Sequence, residues 1–165
     1  MVKQLEELET KVDVLDTIEE ISEPVFIAQA QINPVLSIDN SIKSIRKYIN
    51  EHYKNTVSKI SIKNTVDKNL KASLIEALEA EVGLVPTGIW SEELAIKIKE
   101  HRIAPGEKGI FVTLWQCTLN CNNYILPITG VVTFDTTVAT KKAQKEHGLF
   151  PGGIVQPELW KNMLS

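Results

Sequence analysis

Aromatic and amide side chains lie close to two predicted turns of this 165-residue chain. Trp90 and Tyr124 lie at or beside a turn, outside any apolar helical stripe, so we expect their rings to be exposed. An exposed ring next to amide groups can stack on a sugar and bond its hydroxyl and acetamide groups. The alternative is that these rings close the end of a helical bundle. The candidate ligand-binding residues are Trp90, Asn120, Asn122, Asn123 and Tyr124.

Motifs that signal catalysis are missing from the sequence. It has no Gly-x-Ser-x-Gly elbow, no His-Glu-x-x-His, no phosphate-binding glycine loop and no Cys-x-x-Cys pair. Paired carboxylates for glycoside cleavage are recognised by their separation in space, which a sequence does not give. We therefore predict no catalytic residues, no cofactor and no enzyme activity in the chain itself, and keep enzyme activity as a third hypothesis.

Two cysteines, Cys117 and Cys121, are spaced four apart in a predicted helix. A disulfide needs a geometry that a regular helix rarely offers, so we expect free thiols. Zinc would need three or four converging ligands, with His101 or His147 added to the thiols. Because tight ligand pairs are missing, no metal site is predicted.

The overall charge argues against several classes of partner. The net charge is −3 and the isoelectric point is near 5.7, so nothing in the totals indicates nucleic acid or an anionic membrane surface. No apolar run approaches the ~20 residues that span a bilayer, and the N-terminal residues lack the apolar core of a signal peptide. We expect neither a membrane span nor an export signal.

The C-terminal part of the chain repeats itself. Thr129-Gly130 matches Thr87-Gly88, and Lys145-Glu146-His147 matches Lys99-Glu100-His101. The offset stays at about 42 to 46 residues, which is typical of stacked supersecondary units that bury their apolar faces against each other. Trp160 likewise matches Trp115, whose segment closes the first unit and opens the second. At helical spacing, both tryptophans are expected in the core.

The N-terminal region is predicted to be helical. Residues 1–22 carry an a/d stripe of about two heptads, which would dock either on a second chain or on the chain's own body. The stripe consists of Leu5, Leu8, Val12 and Leu15, continued by Ile18 and Ile21.

Residues 23–70 are predicted to form a helical segment and a linker. A helix after Ser37-Ile38-Asp39-Asn40 would bury Ile38, Ile42, Ile45, Ile49 and His52 and expose Lys43, Arg46, Lys47 and Glu51. The polar stretch 55–71 indicates a boundary before the duplicated domain, 71–165. Gly83 is the expected left-handed end of that domain's first helix.

The second repeat resembles the bacterial peptidoglycan-binding domain, a three-helix module attached to amidases, muramidases and phage endolysins. The resemblance rests on a Thr-Gly turn, a Thr-x-x-Ala helix ending in Gly-Leu, and a closing segment with Trp and Leu. The matching residues are Thr129, Gly130, Thr136, Ala139, Gln144, Gly148, Leu149, Gly153, Ile154, Val155, Trp160, Met163 and Leu164. Departures are Leu94 and His101 in the first unit and Val132, Ala143 and Gln156 in the second.

The resemblance implies an all-α fold in which an N-terminal helical segment precedes two tandem three-helix units. The rival is an α+β fold with a small sheet from 25–32 and 58–62. The implied function is non-catalytic binding of peptidoglycan at the Gram-positive cell wall, as part or partner of a lytic enzyme or bacteriophage particle. Without a signal peptide, the chain would be released by lysis or carried by a partner.

The second hypothesis is a structural scaffold for protein docking, with a cytoplasmic location as the alternative to the wall. It is motivated by the departures from the family pattern, and it uses Leu5, Leu8, Val12 and Leu15 for homo-oligomerisation.

Overall fold

The structure is a computed structural model that describes residues 39–165. This part of the chain is all-helical and contains no strand, which confirms the all-α prediction and leaves no sheet at residues 58–62. Six helices follow one another: α1 Ile42–His52, α2 Lys68–Glu81, α3 Glu92–Ile98, α4 Ile110–Cys121, α5 Phe134–Glu146 and α6 Pro157–Leu164. The predicted N-terminal helix with its stripe, and the segment 25–32, lie outside the described residues.

Four helices begin at a hydroxyl or carboxylate cap, and the cap of α1 is Ser41, which follows the predicted capping segment 37–40. Ser41, Asp67, Ser91 and Thr133 each accept a hydrogen bond from the backbone N–H three residues later. The C-terminal end of α2 is followed by Gly83, whose φ of +76° confirms the predicted left-handed end of that helix.

The core is organised around α4. Ten of its residues, from Val112 to Cys121, are buried, and the helix packs against α1, α2, α5 and α6. Trp115 and Trp160 are buried as predicted, with ring centroids 4.8 Å apart in an edge-to-face arrangement. The Trp115 indole N–H donates to Thr140 Oγ1 at 2.9 Å, so the largest buried side chain also has its polar atom satisfied.

Arg46 on α1 departs from the sequence prediction. The helical pattern places it on the exposed face, but its side chain is fully buried. Its guanidinium donates to the carbonyls of Ser61 and Thr65 and lies 2.7 Å from an Asp67 carboxylate oxygen. The arginine therefore fastens the polar stretch between α1 and α2 onto α1, a role that depends on carbonyl acceptors distant in sequence.

The other end of α1 also differs from the expectation. His52 is exposed rather than part of the apolar face, and Tyr53 is buried in its place. The Tyr53 hydroxyl donates to Glu81 Oε1 at 2.8 Å, which joins the end of α1 to the end of α2.

The described residues, 39–165, belong to one compact unit. Val57 and Ile60, in the predicted linker, are buried in the same core as α1 and α2. The predicted boundary between residues 70 and 71 falls within this unit, and the division into 23–70 and 71–165 stays a prediction. None of the helices within residues 39–165 is both long and apolar enough to cross a membrane.

Candidate ligand-binding groove

The first Thr-Gly turn is held by a buried carboxylate from the preceding helix. Glu79 near the end of α2 accepts hydrogen bonds from the backbone N–H groups of Thr87 and Gly88 at 2.6 and 2.9 Å. The Thr87 hydroxyl donates to the other carboxylate oxygen at 2.6 Å. Gly88 has a φ of +70°, and a Cβ there would lie 3.2 Å from Ala72, so this turn needs glycine for its conformation and for its space.

The second Thr-Gly turn is held in the same way by an amide. Gln116 Oε1 on α4 accepts from the N–H groups of Thr129 and Gly130 at 2.8 and 2.9 Å. Its Nε2 donates to Val131 O at 2.9 Å and to Thr136 Oγ1 at 3.1 Å. A fully buried side chain therefore fixes both the turn and the first turn of α5 that follows it.

The segment that follows α4 and helix α5 form the two sides of an open groove of about 330 Å³, named here the Tyr124 groove. Its floor is made by the buried side chains of Leu126 and Ala139. Its sides carry solvent-exposed apolar side chains: Ile125 is 67% exposed, Phe134 is 82% exposed and Val138 is 48% exposed. The full lining is Asn123, Tyr124, Ile125, Leu126, Phe134, Asp135, Val138, Ala139 and Lys142.

Phe134 and Val138 are exposed because α5 buries its other face. That face consists of Thr136, Ala139, Thr140, Ala143 and Gln144, so both side chains project away from the core. Exposed side chains of this size that gather beside a concave surface mark a binding site more often than isolated ones do.

Two charged side chains, those of Glu146 and Lys142, lie next to Tyr124. Its hydroxyl donates to the Glu146 carboxylate, and the Lys142 ammonium lies 5.8 Å from the ring centroid. Burial, the hydrogen bond to Glu146 and the negative charge of that carboxylate raise the pKa of Tyr124 to about 12. The phenol therefore stays protonated at neutral pH and its proton is directed at Glu146.

The predicted site residues divide between surface and interior. Asn123 and Tyr124 line the groove. Asn120 is buried, and its amide bonds Gln116 O, Leu126 O and Leu126 N, so it shapes the loop and presents no group to the surface. Asn122 donates to Thr118 O and Met163 O and so joins α4 to α6.

Trp90 is half-buried against the core and is not among the residues that line the Tyr124 groove. Ligand binding by any of these side chains stays a prediction.

Sequence reasoning missed Phe134, Val138 and Lys142. The sequence contains little signal for them, because the buried face of α5 is largely polar, with Thr136, Thr140 and Gln144, and does not show which side of the helix faces water.

The first repeat carries only part of this lining. Counted from Gly83 and Asn123, the left-handed residues after α2 and α4, Ile125 corresponds to Val85, and counted from the Thr-Gly turns, Val138 corresponds to Ile96. Val85 and Ile96 are 79% and 68% exposed. At the offset of 42 that the Thr-Gly turns set, Phe134 corresponds to Glu92, and α3 ends at Ile98, before a position that would match Lys142, so neither the aromatic ring nor the helix-borne cation recurs. The two sequence repeats thus present different surface chemistry.

The cysteines are free and buried, and burial raises the pKa of Cys121 to about 12. Such thiols are protonated and poorly reactive at neutral pH. Within residues 39–165 no three His, Cys, Asp or Glu side chains come together in a way that could hold a metal ion.

The described residues thus form a helical body whose surface carries open grooves, the Tyr124 groove among them. A sequence model of one family, described as FadG/YbfG, PGDB-like domain, matches residues 35–148. The chain belongs to this family, and it contains a peptidoglycan-binding-like helical domain. The matched range includes α1 and all residues of the Tyr124 groove. Neither the comparison with curated proteins nor that with solved structures finds a match to this chain.

Proposed function

We propose that this chain is a non-catalytic module that binds bacterial peptidoglycan through the Tyr124 groove. The observation that carries the proposal is that the range matched by the family model contains a groove with solvent-exposed apolar side chains. Phe134 is 82% exposed, and a ligand that covered its ring fully would gain about 1.5–3 kcal/mol from that burial.

The proposal includes two tandem three-helix units that share α4. What supports it is the equivalent anchoring of the two Thr-Gly turns, by Glu79 in one unit and Gln116 in the other. The closing helix α6 packs on α2 and α3, so the two units would form one core rather than two independent modules. Only the second unit carries the aromatic ring and the cation of the groove.

The wider context is the Gram-positive cell wall, where the module would hold a lytic enzyme or a bacteriophage particle on its substrate. The resemblance of the second repeat to modules attached to amidases, muramidases and endolysins supports this context. Binding to an insoluble polymer has a direct functional use, since it raises the local concentration of an attached hydrolase.

A pelleting experiment tests the proposed function. The full chain is mixed with purified Gram-positive sacculi at low salt and centrifuged, with an unrelated acidic helical protein of similar size as the negative control. We expect the chain in the pellet and the control protein in the supernatant. If the chain stays in the supernatant while an established wall-binding module pellets, the proposed function is wrong.

A docking scaffold is the second candidate function. Phe150 is 80% exposed and lies outside the Tyr124 groove, so the surface offers a second apolar contact for a protein partner. Leu5, Leu8, Val12 and Leu15 would add a seam between chains. Deleting residues 1–22 should then abolish complex formation without changing wall binding.

A further inference from the structure

The chemistry of the Tyr124 groove favours one part of peptidoglycan over the other. We propose that the groove binds the short stem peptide, through its methyl side chains and a carboxylate, and that the glycan strand is not its main ligand. This inference rests on the proposed function, because it names which component of the same polymer the same groove recognises.

The first argument is that Tyr124 is not a free stacking platform. Sugar recognition uses an open aromatic face with hydrogen-bonding groups around it. The Lys142 ammonium lies 5.8 Å from the Tyr124 ring centroid, within the range of a cation–π contact, and the phenol proton goes to Glu146. The ring and the hydroxyl are therefore both engaged within the chain.

The second argument is the nature of the exposed side chains. The exposed lining is mainly apolar: Ile125 and Val138 are aliphatic, Phe134 is aromatic, and the floor beneath them is Leu126 and Ala139. Such a surface gains free energy by burying methyl groups, which the alanine residues of a stem peptide supply. A sugar of the glycan offers one acetamide methyl and otherwise mostly hydroxyls, and the groove has few polar groups to pair with them: Asn123 and Asp135 besides Lys142.

The third argument is the arrangement of charge. Lys142 contacts the Glu146 carboxylate only at 4.0 Å, and both side chains are more than half exposed, so the ammonium can pair with a ligand carboxylate at little cost. Asp135 in the first turn of α5 offers an acceptor for peptide N–H or amino groups. Opposite charges in one groove fit a stem peptide, which carries both carboxylates and amines, whereas a peptide-free glycan strand has no amines.

The experiment compares three forms of the ligand with the full chain. Binding is measured on intact sacculi, and on the glycan strands that remain after an amidase has removed the stem peptides, attached to beads because they no longer form a sacculus. Stem peptides released by the amidase and peptide-free glycan fragments are then tested as soluble competitors. We expect at least tenfold weaker binding to the stripped glycan, and competition by the peptides but not by the glycan fragments.

Variants on α5 supply a matched pair. Lys142→Gln should weaken binding to intact sacculi several-fold and reduce its dependence on salt. Lys145→Gln changes an exposed lysine of the same helix that does not line the groove, and should bind as the wild type does. Equal binding of the wild type to stripped and intact material would overturn the stem-peptide inference and leave the proposed function standing. Failure to bind either material would overturn the proposed function itself.

Discussion

Glu79 and Gln116 perform the same task with different chemistry. Each is a buried side chain on a helix, and one oxygen of each accepts two backbone N–H groups of a Thr-Gly turn. The other terminal atom of each side chain behaves differently. Glu79 Oε1 accepts from the Thr87 hydroxyl, whereas Gln116 Nε2 donates to a backbone carbonyl, Val131 O. Replacing Glu79 by Gln and Gln116 by Glu should therefore have unequal effects on stability.

Glu79→Gln should be tolerated, with a loss of less than about 1 kcal/mol in the free energy of unfolding, because an amide keeps both N–H acceptor bonds. Gln116→Glu should cost about 2–4 kcal/mol, since a carboxylate oxygen would then face the Val131 carbonyl in the core. Urea unfolding followed by circular dichroism measures both. Equal losses for the two exchanges would contradict this account of the turns.

Gly88 and Gly83 form a second matched pair, since both have positive φ. Gly83→Ala meets no atom within 4 Å and should cost about 1 kcal/mol, the usual penalty of the left-handed conformation. Gly88→Ala also places its Cβ 3.2 Å from the Ala72 side chain and backbone, and should cost clearly more. Thermal unfolding of the two variants in parallel measures the difference. A Gly88→Ala protein as stable as Gly83→Ala would contradict the expected clash and show that α2 can shift to make room.

Asp67 should make the fold sensitive to acid. A hydrogen bond from Lys63, the Leu70 N–H and the Arg46 guanidinium hold the pKa of its carboxyl below the ordinary value of 3.8. Because the folded-state pKa is lowered, the stabilisation is complete well above pH 3.8 and is lost as the pH falls below it. Asp67→Asn keeps a good helix cap but loses the charge.

The Asp67→Asn variant should therefore be less stable than the wild type at pH 7, and the difference should shrink between about pH 5 and pH 2. The urea midpoints of both proteins across this range measure the difference in stability. The other carboxyls titrate equally in the two proteins, so their contributions cancel in this difference. A difference that is independent of pH would contradict the assigned ion pairs.

The sequence predicted the features that follow from local pattern. The Thr-Gly repeat, the buried Trp115 and Trp160 and the end of α2 at Gly83 depend on residue type and spacing, and the structure has them. Arg46 could not be predicted, because periodicity assigns a charged side chain to the surface and does not show the carbonyls of Ser61 and Thr65 that enclose it.

The groove lining was predicted less completely than the fold. Asn123 and Tyr124, chosen because they lie at a turn, line the groove, and their ligand binding stays a prediction. Asn120 was included since sequence proximity does not distinguish an exposed amide from one that bonds its own loop. Phe134 was missed because the buried face of α5 is largely polar, with Thr136, Thr140 and Gln144, so that the hydrophobic pattern did not show which side faces water.

The N-terminal stripe gives a prediction about assembly. If Leu5, Leu8, Val12 and Leu15 form a seam between chains, light scattering should report a dimer or higher oligomer. The double change Leu8→Asp and Val12→Asp should then give a monomer that keeps its helical content, since charges in an apolar seam are strongly unfavourable. A wild type that is already monomeric at high micromolar concentration would contradict the seam between chains.

The claim that the Tyr124 groove binds the cell wall is tested most directly by two variants at corresponding positions of the two repeats. Val138→Asp places a charge in the groove, and Ile96→Asp places the same charge at the corresponding exposed position of α3 in the first repeat. Both proteins should fold with wild-type helical content, because both side chains are exposed. In a depletion assay on intact sacculi, the account predicts that Val138→Asp binds at least tenfold more weakly than the wild type while Ile96→Asp binds equally well. Undiminished binding of Val138→Asp, or an equal loss in both variants, would contradict it.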